Sequence, residues 1–83
     1  MTHTVKTWIK YFKEQIDEVK QFELRKDDRN YKVNDKFISQ EFDEIKNEYT
    51  GREIIFTIIY ILKDAEQFGL KEGHCILGLR YEY

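Results

Sequence analysis

The sequence predicts an α+β fold, a two-layer domain in the order α–β–β–α–α–β with a small sheet covered by helices on one face. Three stretches carry the prediction. Apolar residues recur every three or four positions from Val5 to Phe22, the period of an amphipathic helix. The run from Thr50 to Leu70 is the most apolar in the chain and carries helix signals at both ends. From His74 onward apolar and polar residues alternate, the period of a half-buried strand.

The first helix rests on Val5, Trp8, Ile9, Phe12, Ile16 and Val19, with Thr2 or Thr4 placed to cap it. Its outer face carries Lys6, Lys10 and Lys13 before Glu14, Asp17 and Glu18. That order is unfavourable for the helix dipole. It reads as a solvated face or as a basic stripe for an acidic partner. In the next segment Phe22 and Leu24, then Tyr31 and Val33, alternate with polar residues around the turn-rich Asp27-Asp28-Arg29-Asn30. This predicts a β-hairpin with strands near 21–26 and 30–34, the alternative being a continued first helix followed by loop. A second helix over 36–48 follows from Asn34 or Asp35 as cap and from Ile38, Phe42, Ile45 and Tyr49 at helical spacing. Glu41, Glu44 and Glu48 line its flank, either as a solvated face or as a docking surface for a basic partner.

For Thr50–Leu70 two structures compete. The Ile, Phe, Thr and Tyr content of 54–62 suits a strand. The spacing of Ile54, Ile55, Ile58, Ile59, Leu62 and Ala65 suits a helix. Thr50 with Glu53 resembles a capping box, and Gly69 followed by Leu70 resembles a Schellman ending, so a helix over 51–67 is the expectation. The last element is a strand over 74–82, with Gly78 marking a bulge or a close backbone approach.

The bulk numbers narrow the function classes. The 83 residues fit one small domain over 1–83, which buries roughly 60% of its unfolded surface. Aromatic residues make up 16% and charged residues 36%, and mean hydropathy is -0.71. No apolar run reaches the roughly 18–20 residues of a membrane span, and the N-terminus lacks the pattern of a signal peptide. A single cysteine, Cys75, precludes an internal disulfide and fits a reducing compartment, so a cytoplasmic protein is expected. The net charge of -2 gives no global pull toward nucleic acid. Lys-, Glu-, Ile- and Asn-rich usage without proline suggests an AT-rich bacterial or phage source.

Catalytic and metal patterns are weak. His3, His74 and Cys75 lack the paired spacing of zinc ligands. Neighbours on a strand, His74 and Cys75 point to opposite faces and form no dyad. Cys75 reads as a small buried hydrophobe. Ser39 has no nucleophile elbow, and no phosphate-binding glycine loop is present. No cofactor or metal is therefore expected, and no enzymatic activity.

The leading functional expectation is a small protein-binding module, an inhibitor, adaptor or antitoxin-like regulator, using Phe56, Tyr60, Arg80, Tyr81 and Tyr83 with the acidic Glu41, Glu44 and Glu48. Tyr and Arg are enriched at binding hot spots, and a terminal strand edge can pair with a partner or with a second copy. A homodimer through 51–67 or 74–82 belongs to the same expectation. The element order also resembles that of bacterial-type KH domains, which implies RNA or single-stranded nucleic-acid binding. The junction Asn47-Glu48-Tyr49-Thr50-Gly51-Arg52-Glu53 carries no GxxG clamp. The candidates for that alternative are Lys26, Arg29, Lys32 and Arg52 as cations and Tyr31 as a stacking group.

Overall fold

Strand, not helix, prevails through the apolar run. The computed structural model describes residues 1–82, and in it Glu48–Leu62 forms one long strand, β4. Ile54, Phe56 and Ile58 point into the core while Ile55 and Ile59 face out, the alternation of a pleated strand. A register irregularity between Ile58 and Tyr60 leaves Ile59 and Tyr60 both exposed. The apparent helical spacing thus came from apolar residues on both faces of one strand. The expected capping box does not form, because the Thr50 hydroxyl donates to Glu41 Oε1 at 2.6 Å. Gly69 does adopt the left-handed conformation, but it closes a single 3-10 turn, Glu66–Phe68.

The expected second helix is likewise a strand. β3 (Lys36–Asp43) buries Phe37, Ser39 and Glu41 on one face and Phe42 through a bulge after Gln40. A turn joins it to β4. There the Asp43 carboxylate accepts from the backbone of Ile45 and Lys46, and Asn47 takes a positive φ, as Asn tolerates.

At the N-terminus only the middle of the predicted helix is helical. β1 (Thr2–Trp8) has Thr or Val at four of its positions, residue types that favour strands. It buries His3, Val5 and Thr7. α1 (Ile9–Ile16) follows directly and buries Phe12 and Gln15. Of the expected hairpin, the first strand stands as β2 (Phe22–Lys26). Residues 30–34 are loop, and β2 pairs instead with β5 (His74–Tyr81), whose position the alternation had indicated. Gly78 makes the anticipated close approach, since a Cβ there would lie 3.2 Å from Tyr60 Cβ.

Strands hold 52% of the residues and helix 13%, so the α+β prediction is overturned and the KH-like order with it. One mixed sheet runs β1-β3-β4-β5-β2, parallel only between β1 and β3. Val5, Phe37, Phe56, Ile58, Leu77 and Leu79 fill its inner face, with Phe12 of α1 among them. β5 is paired on both sides, so the C-terminal strand offers no edge. The edges are β1 and β2. The sheet curls enough that both border a single cleft.

Candidate functional site

That cleft is the seam of the curled sheet, about 640 Å³ in volume. β1 contributes Lys6, Thr7 and Trp8, α1 contributes Tyr11 and Glu14, and β2 contributes residues 22–25, with Val19 and Lys20 from the connection between them. Alternation along the two edge strands sorts these side chains by depth. Thr7 shares the inner face with Val5, whereas Lys6 and Trp8 point outward. Glu23 stands opposite the fully buried Leu77, whereas Phe22 and Leu24 point outward. The floor is therefore polar and the rim aromatic and cationic.

β2 reverses the usual arrangement of a half-buried strand. Its apolar residues face solvent and its carboxylate faces in, with Glu23 only 6% exposed. Burial of a charge at this depth requires partners. Glu23 Oε1 accepts from Lys20 Nζ at 2.5 Å and from Gln15 Nε2 at 3.1 Å. Arg25 Nη1 stands 3.8 Å from Oε2. Lys20 also donates to the Phe22 carbonyl at 2.8 Å. Its ammonium lies 5.1 Å from the Phe22 ring centre and 5.9 Å from that of Tyr11, within cation–π range. Lys20 thus joins the carboxylate of the floor to two rings of the rim. Two buried polar atoms beneath the cleft, Thr7 Oγ1 and Gln15 Oε1, have no partner among the described residues. Trp8 is 52% exposed at the rim.

Other polar clusters hold the frame. Asp35 accepts from Lys32 N and pairs with His3 Nε2 at 2.8 Å. The His3 hydrogen bond is the main reason that its carboxyl falls to about 2, against the opposing effect of burial. His3 meets the Tyr31 ring edge-on at 4.7 Å, and Arg29 donates to the Thr4 carbonyl. These contacts bind the β2–β3 loop to β1. Next to α1, Arg52 forms a two-pronged bond to buried Glu41, at 2.9 and 2.7 Å, and its guanidinium lies 5.2 Å from the Phe12 ring centre. That pairing holds the Glu41 carboxyl below its ordinary range.

The residues singled out from sequence do not converge on one surface. Phe56 is core, and Tyr81 packs edge-on against it. Tyr60 and Arg80 are exposed, Glu41 is buried and paired, and Glu44 and Glu48 are exposed at the β3–β4 turn. Tyr83 lies outside the described residues. Of the alternative set, Tyr31 is buried, Arg29 and Arg52 are engaged, and Lys26 and Lys32 are exposed away from the cleft lining. Sequence reasoning singled out Lys6 only within a basic helical stripe, and missed Trp8, Tyr11, Lys20, Phe22, Glu23 and Arg25. The available signal was Phe22-Glu23-Leu24-Arg25 read with its polarity inverted. Cys75 and His74 occupy opposite faces as expected, and burial pushes the Cys75 thiol up.

Among the described residues no helix is long and apolar enough to cross a membrane, and no group of three or more His, Cys, Asp or Glu is placed to hold a metal ion. Residues 2–79 match the family described as "Domain of unknown function (DUF3850)", and the chain belongs to that family. No curated protein matches it.

Proposed function

We propose that this protein is a binding module that takes single-stranded nucleic acid into the seam between β1 and β2. The observation that carries the reading is the composition of the cleft, where the rings of Trp8, Tyr11 and Phe22 stand beside Lys6, Lys20 and Arg25. Aromatic side chains give unpaired bases a stacking platform, and neighbouring cations meet the phosphates. A volume of about 640 Å³ is of the size that holds a small-molecule ligand, which here would be one or two nucleotides rather than a duplex. Two carboxylates, Glu14 and Glu23, share the cleft with three cations, so stacking carries more of the affinity than charge does.

The test is fluorescence anisotropy of a labelled single-stranded oligonucleotide titrated with the protein at several salt concentrations. One to three engaged phosphates give a log–log salt slope of about -0.7 to -2. Binding with that slope supports the reading; absence of binding at low salt refutes it.

A protein partner is the second reading, favoured by an adjoining surface that shares Phe22 and Leu24 with the cleft. On the outer face of β4, β5 and β2, Tyr60, Gly78 and Phe22 lie in one cross-strand row and Leu62, Ile76 and Leu24 in the next. Tyr60, Phe22, Leu24 and Leu62 are all exposed. Tyr60→Glu separates the readings, since it disrupts a protein contact on this face and leaves oligonucleotide affinity in the seam unchanged.

A further inference from the structure

The seam has a floor as well as a rim, and the two differ in chemistry. Stacking on Trp8, Tyr11 and Phe22 accepts any base. The floor is more selective because one of its carboxylate oxygens, Glu23 Oε2, carries no hydrogen bond among the described residues. Glu23 Oε1 is saturated by Lys20 and Gln15. Glu23 Oε2 has Arg25 Nη1 at 3.8 Å, too far for a hydrogen bond. Thr7, 5% exposed, borders the cleft, but its hydroxyl oxygen is shut off from the opening. Gln15 is fully buried, and with its amide nitrogen committed to Glu23 its oxygen is left without a donor. Buried polar groups are rarely left unpaired, and of these atoms Glu23 Oε2 is the one on a cleft-lining side chain that a ligand donor can reach.

We propose that the floor reads the exocyclic amino group of a stacked base, Glu23 Oε2 accepting from it, so that the seam prefers cytosine to uracil. The inference rests on the nucleic-acid reading above and adds base selectivity to it. Cytosine and uracil have the same ring size and stack on the same rim. They differ at the 4-position, where an amino group that donates is replaced by a carbonyl that accepts. A carboxylate pairs with the cytosine amino group. Facing a carbonyl oxygen instead, it meets a second acceptor with no proton between them.

The experiment compares short oligocytidylate with oligouridylate of equal length on the full chain, with wild-type protein, Glu23→Gln and Thr7→Val. Circular dichroism on each variant establishes that it is folded. Wild type is expected to bind oligocytidylate roughly tenfold or more tightly, the discrimination of one good polar pairing. Glu23→Gln keeps the shape and the acceptor for Gln15 but adds an amide donor. It is expected to lose that preference or reverse it toward uridine. Thr7→Val, at a hydroxyl shut off from the cleft, is expected to leave the preference unchanged. Equal binding of both homopolymers by wild type, or a cytosine preference unchanged in folded Glu23→Gln, overturns base reading by the floor and leaves the seam as an unselective stacking site. Failure of both homopolymers to bind overturns the nucleic-acid reading and this inference together.

Discussion

Replacing Ile58 and Ile59 in turn separates the two structures that the apolar run could have formed. In a helix the two residues share one stripe and equivalent truncations cost similar amounts. In β4 they face opposite sides. Ile58 is fully buried and Ile59 is 47% exposed. Truncating a fully buried isoleucine to alanine costs about 2–5 kcal/mol, through lost transfer energy and the cavity left behind. At Ile59 about half of the side chain is already wet and no enclosed cavity forms, so the loss is about 1 kcal/mol at the area coefficient for apolar burial. Equilibrium urea unfolding reads the difference. With a slope of about 1 kcal/mol per molar for a small domain, Ile58→Ala lowers the midpoint by roughly 2 M or more and Ile59→Ala by about 1 M or less. Ile58→Val, at about 0.5–1.5 kcal/mol, supplies a milder variant should the alanine protein be too unstable to measure. Equal midpoint shifts for Ile58→Ala and Ile59→Ala would refute the strand assignment and the core built on it.

Two other outcomes follow from the side-chain placement. Phe22→Ala and Tyr11→Ala each remove a partly exposed ring from the rim, so the fold tolerates them. Each loses a stacking contact of about 1–3 kcal/mol, weakening oligonucleotide binding roughly 5- to 150-fold by anisotropy. Asp35 sets an acid limit. Its carboxyl is held at about 2, below the ordinary 3.8, principally by the His3 hydrogen bond. A depressed folded-state value contributes stability that is complete above about pH 4 and disappears as pH falls through 2. Asp35→Asn is therefore expected to cost about 2 kcal/mol at pH 7 and to flatten the loss of stability between pH 4 and 2, as measured by urea unfolding across that range.

Several elements were legible because their signals were local. The alternation after His74 located β5, and Gly78 announced the close approach that Tyr60 makes over it. Gly69 was read as left-handed, although what it terminates is one turn. The errors have separate physical causes. Ile54, Ile55, Ile58 and Ile59 mimic a helical stripe because β4 carries apolar side chains on both faces, and its irregularity at Ile58–Tyr60 breaks the period of two. Phe37, Ser39 and Glu41 conceal β3 because two of the three inward residues are polar. The seam was not legible, since it depends on which strands lie at the sheet edges. β1 and β2 meet across it only because β3, β4 and β5 lie between them in the sheet. Buried Glu23, flanked by outward Phe22 and Leu24, then reads as a strand whose inner face was kept polar.

The measurement that bears most directly on the central claim uses the chain's single tryptophan, Trp8 at the rim of the seam. Titration with single-stranded oligocytidylate is expected to quench its fluorescence saturably, because a base stacks on the indole, and added salt is expected to reverse the quench. Double-stranded DNA of the same length is expected to quench far less, because its bases are unavailable to the ring. Unchanged Trp8 emission under conditions where anisotropy shows the oligonucleotide bound would place binding elsewhere on the protein and contradict the seam as its site.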